Sequence, residues 1–326
     1  MTTNQLLLAI AAGLISAVVF ASATTGAMLL RFVLFFLTPI SLYLAGLGIG
    51  PAAAAIAAIT ATLTILALTN PVAAVVFAIS AAMPAVITTR LALLGRDDGA
   101  GGFEWYPIGR IVATAAIFGG MFASLALILM GGNGDDLAKV MRGLVETFTK
   151  NELPQIPGSQ PLTDAQIDEI SKRALGLLPW TLAALSMITT LLNLWLAGRI
   201  TLASGRLVRP WPDLSRLRLP AGATFALLAA MILAFLSGAL GLAAGGFAGA
   251  FTLAFTLVGL SVVHFFTVGS PWRNFALTAI YAGLLLYTPL FALALAIAGL
   301  AETIFNYRDA PGPDRPDRDG PPPPTT

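Results

Sequence analysis

Apolar residues in this chain fall in long unbroken runs, not in the alternating or three-and-four spacing of half-buried elements. Phe32 to Thr89 holds 58 residues without one Asp, Glu, Lys or Arg, and Leu219 to Trp272 holds another 54. A bilayer core demands such runs, because a charge left there costs about 2.5–3.5 kcal/mol even on the gentler insertion scales. A crossing needs about 20 apolar residues. The first eight crossings are expected at 6–22, 28–47, 52–69, 72–94, 111–130, 177–197, 221–240 and 247–268. Gly48 to Pro51 and Asn70-Pro71 mark turns between them, and the break between the seventh and eighth is expected near Gly241–Gly246. The last run, Asn274 to Ala301, reads either as one long helix kinked at Pro289 or as two short ones meeting at Thr288-Pro289. The fold class is therefore all-α: a polytopic transmembrane helical bundle of nine or ten segments, spanning 1–306. A Pro-rich tail follows at 307–326, with Pro311, Pro313, Pro316 and four prolines at 321–324, and is expected to be disordered.

Arginine placement orients the bundle. Arg199, Arg206, Arg209, Arg216 and Arg218 stand against Asp213 alone in one loop, which the positive-inside bias assigns to the cytoplasm. Counting crossings outward puts Arg90, Arg96, Arg110 and Arg273 on the same side. With ten segments both termini are cytoplasmic, in the inner (plasma) membrane of a bacterium.

The longest extramembrane piece, 131–176, then lies on the far side. Leu137, Val140, Met141, Leu144, Val145 and Phe148 recur at three and four, so an amphipathic helix is expected over 136–150. Thr163 and Gln166 have capping-box spacing and should start a second helix leading into the sixth crossing. Such a pair of helices either caps an external cavity, docks a partner, or lies on the membrane surface.

Composition narrows the chemistry. Hydrophobic residues make 57% of the chain and charged ones 10%, and the net charge of +2 gives no reason to expect a nucleic-acid partner. There is no cysteine and one histidine, so no thiolate or His-rich metal site is expected. Nucleotide-loop, HExxH, calcium-loop and GxSxG patterns are absent. The expectation is a protein without catalytic residues, cofactor or metal, whose certain partner is the lipid bilayer. Intramembrane ionisable residues are the functional candidates by default, and here they are Arg31, His264 and Glu302. Gly241, Gly245 and Gly249 form a GxxxGxxxG series suited to close helix packing.

Several stretches together resemble the YybS-like family of bacterial membrane proteins. They are Pro39 through Gly48-Ile49-Gly50, Pro210-Trp211-Pro212-Asp213-Leu214 leading to Leu219-Pro220, Gly259 to His264, and Gly299 to Arg308. Where the family often carries Asp and Phe, this chain has Asn306 and Tyr307. The resemblance implies a distant likeness in fold to the substrate-binding subunits of energy-coupling-factor vitamin transporters and to the rod-shape protein MreD. It brings no catalytic residues. Two readings of function follow: a transport-related subunit that binds a small solute in a polar-lipped outward cavity, or a non-enzymatic scaffold for envelope assembly that works through other membrane proteins.

Overall fold

The computed structural model describes residues 1–23, 28–97, 99, 102–131, 134–151, 153–155 and 158–309. Its helices, in chain order, begin with α1 (Thr3–Ser22), α2 (Met28–Leu37), α3 (Ile40–Gly48), α4 (Pro51–Leu68), α5 (Pro71–Phe77) and α6 (Met83–Ala92). A two-stranded hairpin, β1 (Gly95–Asp97) and β2 (Phe103–Trp105), leads to α7 (Ile108–Leu129), α8 (Gly134–Asn151) and α9 (Asp164–Ala203). The chain closes with α10 (Gly222–Leu233), α11 (Gly238–Thr267), α12 (Arg273–Leu286) and α13 (Thr288–Phe305). Among the described residues, eight stretches are long and apolar enough to cross a membrane; α2 with α3, and α5 with α6, each count as one.

Local chemistry sets the ends. Pro51 and Pro71 open α4 and α5, where the missing N–H is no loss, and Asn70 Oδ1 accepts from Ala73 N at 2.9 Å. The capping box at Thr163 and Gln166 forms, and α9 runs on from it for 40 residues as the crossing and its extramembrane extension together. The amphipathic helix expected at 136–150 is α8, which buries Leu137 and Met141 and packs on α9.

Two expectations need correction. The seventh crossing is shorter than the pattern suggested: α10 has 12 residues, about 18 Å by helix rise against a core of about 30 Å. The chain turns at 234–237, ahead of Gly238 at φ +78°, so Gly241, Gly245 and Gly249 lie inside α11 and not in a turn. Of the two readings of the last run, the two-helix one holds: α12 of 14 residues and α13 of 18 are broken at Tyr287 beside Pro289. Among the described residues, the ten apolar segments are thus eight stretches long enough to cross and two short helices.

The chain divides into two compact units, Met1–Ala254 and Phe255–Thr326, with the boundary inside α11. The core of the first is built on small residues. Ala9, Gly13 and Ala17 of α1 face Ala53, Ala57 and Ala61 of α4, all buried. A Cβ on Gly13 would lie 2.4 Å from the Ala57 carbonyl oxygen. Gly245 and Gly249 meet Pro179 and Trp180 of α9, whereas Gly241 leaves room for the Leu236 carbonyl in the preceding turn. In lipid, where burial of apolar surface between helices gains little, such backbone approach is what holds helices together. In the second unit Gly259 and Gly299 do the same, against Leu295 and Phe255 carbonyls.

The first three residues of the expected tail, 307–309, form regular structure. Asn306 adopts the left-handed conformation (φ 51°), the usual way to end a helix, and Tyr307–Asp309 form a 3-10 turn that returns Arg308 to the interior at 6% exposure. The rest of the expected disordered tail lies outside the described residues.

Candidate functional site

The first unit gathers its buried polar groups where two crossings are interrupted. Pro39 cannot donate to the Phe35 carbonyl, and the chain breaks between α2 and α3 at Thr38-Pro39. Pro84 likewise cannot donate to Ser80, and its ring crowds that carbonyl. The chain answers with a π-helical turn, Ala78–Ala82, between α5 and α6. In a bilayer each carbonyl freed in this way must find a donor from within the protein.

Those donors come from the neighbouring helices. Asn193 of α9 donates its Nδ2 to Phe36 O at 2.6 Å and to Thr189 O at 2.7 Å. Ser16 of α1 donates to Thr38 O at 2.8 Å. One turn along α3, the Tyr43 hydroxyl sits 3.5 Å from Thr88 Oγ1, whose own proton goes to Pro84 O at 2.6 Å. Asn193, Tyr43, Thr88 and Ser16 are all within 1% of complete burial.

Ser186, Thr189, Thr190 and Asn193 are spaced at three, four and seven along one buried face of α9. Beside this face, Ser186, Thr189, Thr38 and Ser80 line a cavity of about 10 Å³, closed on its apolar side by Phe20, Phe35 and Phe122. That is about the room of one water. Ser186 Oγ and Asn193 Oδ1 have no hydrogen-bond partner among the described residues. The seam can hold a small neutral polar species or a water. It offers oxygens and one carboxamide, with no charge and no nucleophile–base pair, and no group of metal-ligating acids, His or Cys occurs among the described residues.

The second unit treats polarity differently. Glu302 and Arg308 form an ion pair, Arg308 Nε to Glu302 Oε1 at 2.8 Å, with side chains 1% and 2% exposed. Arg308 also donates to Ser261 Oγ of α11 at 3.2 Å. One turn on, His264 Nε2 lies 3.0 Å from the Tyr281 hydroxyl of α12, and Arg273 donates to the His264 carbonyl at 3.0 Å.

The three ionisable candidates from sequence thus separate. Glu302 is buried with Arg308, His264 is partly buried against α12, and Arg31 is exposed on α2 in the first unit. None of them belongs to the neutral seam. The seam itself was passed over because it contains no ionisable group but Tyr43. Its signals were present: prolines inside two crossings, and a hydroxyl–carboxamide face repeating at helical spacing on a third.

A family model described as "Predicted membrane protein (DUF2232)" matches residues 14–303. No curated protein and no solved structure matches the chain. The match covers most of the chain, which belongs to this family of membrane proteins and is itself a multi-pass membrane protein.

Proposed function

We propose that this member of a membrane protein family is transport-related and takes up a small neutral polar solute at the interrupted helices of its first unit. One observation carries the reading: a water-sized void, largely apolar in its lining but bordered by Thr38, Ser80, Ser186 and Thr189, where a proline break, a π turn and the polar face of α9 meet. Helix interruptions that line a buried polar site are a recurring way to build solute sites in membranes. The outward, polar-lipped cavity expected from sequence is not what supports it. The void has room for one water, so anything larger requires α2–α3 and α5–α6 to part at their interruptions.

The test is thermal stabilisation of the detergent-purified protein by a panel of small neutral polar solutes. A hit that disappears in Ser186→Ala and Thr189→Val, with both variants still monodisperse, supports the reading. No stabilising solute and no compound released on denaturation would overturn it.

A second reading, a non-enzymatic scaffold, draws on a specific surface. On α8 the apolar residues Val140, Leu144 and Phe148 are 38%, 53% and 44% exposed, outside the membrane-crossing helices. A face of this kind suits a neighbouring membrane protein or the lipid surface. Co-purification of an envelope protein that is lost on Leu144→Glu would favour it over transport.

A further inference from the structure

The arginine-rich loop is part of a built platform at one end of the first unit. Arg209 is only partly exposed and joins three segments. It donates to Ala92 O, at the end of α6, at 3.2 Å, and to Tyr106 O, after the hairpin, at 3.0 Å. Its guanidinium also stands 5.9 Å over the Trp105 ring. Burial alone pushes its pKa downward, yet arginine stays charged in any protein setting, and two carbonyls and an indole face receive that charge. Two glycines let the segments close. A Cβ on Gly109 would fall 1.5 Å from the Arg218 carbonyl oxygen, and Gly198 leaves space for the Trp211 ring.

What this arrangement leaves outward is basic. Arg90 in the last turn of α6, Arg110 in the first of α7, and Arg199 and Arg206 around the end of α9 are all exposed. Two of the nearby carboxylates are taken up: Glu104 pairs with Arg96 at 2.7 Å, and Asp213 caps the turn at Ser215 and reaches Arg216 at 3.6 Å; Asp97 of β1 is exposed. Arg110 and Arg199 also lie 5.8 and 5.1 Å over the rings of Tyr106 and Trp211, which hold them in place.

We propose that this platform is a headgroup site for anionic phospholipid, with the lipid phosphate held by Arg110, Arg199 and Arg206. Depth supports lipid. Arg90, Arg110 and Arg199 stand at the ends of α6, α7 and α9, so guanidiniums here reach headgroup level, and indoles beside them are the side chains that settle at that level. Guanidinium is also the group that grips phosphate best. The platform belongs to the face that the arginine bias assigns to the cytoplasm, whose leaflet is anionic.

Native mass spectrometry of the full-length protein, released from micelles doped with phosphatidylglycerol or with phosphatidylcholine, tests this. Retention of phosphatidylglycerol is expected to exceed that of phosphatidylcholine by about tenfold or more. The triple variant Arg110→Gln, Arg199→Gln, Arg206→Gln should lose that preference. A control with the same loss of charge elsewhere, Arg31→Gln, Lys139→Gln, Arg173→Gln, should keep it. Equal retention of the two lipids, or equal loss in both triples, overturns the proposal. So does displacement of phosphatidylglycerol by millimolar inorganic phosphate, which would make the site one for the free anion. Arg209→Gln provides a second check: its guanidinium is turned onto two carbonyls and not among the phosphate-holding arginines, yet its loss should weaken the preference by freeing the loop from Ala92 and Tyr106.

Discussion

The two units solve one problem in opposite ways. Each buries polar groups within apolar helices, but the first does it with hydroxyls and one carboxamide, and the second with a full ion pair. In the first, Asn193 and Ser16 donate to the Phe36 and Thr38 carbonyls at the break before Pro39, so polarity repairs the backbone. In the second, Arg308 arrives from beyond the end of α13 and meets Glu302 of that helix and Ser261 of α11, so polarity ties the chain's end to the bundle. A neutral repair can be lost piecemeal. An ion pair cannot, because removing one partner strands the other.

The sharpest way to break the comparison is therefore charge removal in the second unit. Arg308→Ala leaves Glu302 buried without its guanidinium and should cost about 3–5 kcal/mol, read as a large drop in the temperature at which the detergent-purified protein stops being monodisperse. Replacing both partners, Glu302→Leu with Arg308→Leu, should recover most of that loss, since paired charges and packed apolar groups are often nearly equivalent. A single variant as stable as the parent would show that the pair is not sequestered.

The neutral seam should respond more weakly. Asn193→Leu keeps volume but leaves the Phe36 carbonyl without its side-chain donor, and should cost about 1–3 kcal/mol by the same assay. Ser186→Ala should cost almost nothing in the solute-free protein, because Ser186 Oγ has no partner among the described residues. The contrast between the two positions is informative. A clear destabilisation by Ser186→Ala would mean that the cavity is filled, by water or by something that co-purifies.

How much of this was legible in the sequence follows the same division. Charge-free runs are a one-dimensional signal, and the helices fall on them. The capping pair Thr163–Gln166 and the spacing of Leu137, Met141 and Leu144 are local as well, and α8 and the start of α9 appear where they point. What could not be read was whatever depends on two segments meeting. Glu302 stood out as an acid near a helix end, yet only Asn306 in a left-handed turn brings Arg308 back to it. Gly241, Gly245 and Gly249 looked like one series, but the first serves a turn and the other two a helix crossing. Arg209 was one of five arginines in a loop, and nothing in its neighbours says that it alone is drawn inward. The proline inside α6 was visible, but its consequence, a π turn facing the hydroxyl face of α9, needed both helices in place.

Exposed charges supply the mildest test. On α8, Arg142 donates to Glu146 within its own helix at 2.9 Å and also pairs with Asp168 of α9. The hydrogen bond from Arg142 holds the Glu146 carboxyl below its usual 4.5, with the arginine's charge adding to it. A carboxylate with a depressed folded pKa contributes stability above its unfolded value and loses it as pH falls through the lower folded one. Docking of α8 should therefore be constant from neutral pH down to about 4.5 and loosen below that. The effect will be small, because these side chains are solvated and screened. Hydrogen exchange across 134–151 should show it as faster exchange at pH 3.5, after correction for intrinsic rates. Arg142→Gln should already exchange faster at neutral pH and respond less to acid. An α8 whose protection ignored both pH and Arg142 would be held by Leu137 and Met141 alone, and the ion pairs on its surface would be incidental to its docking.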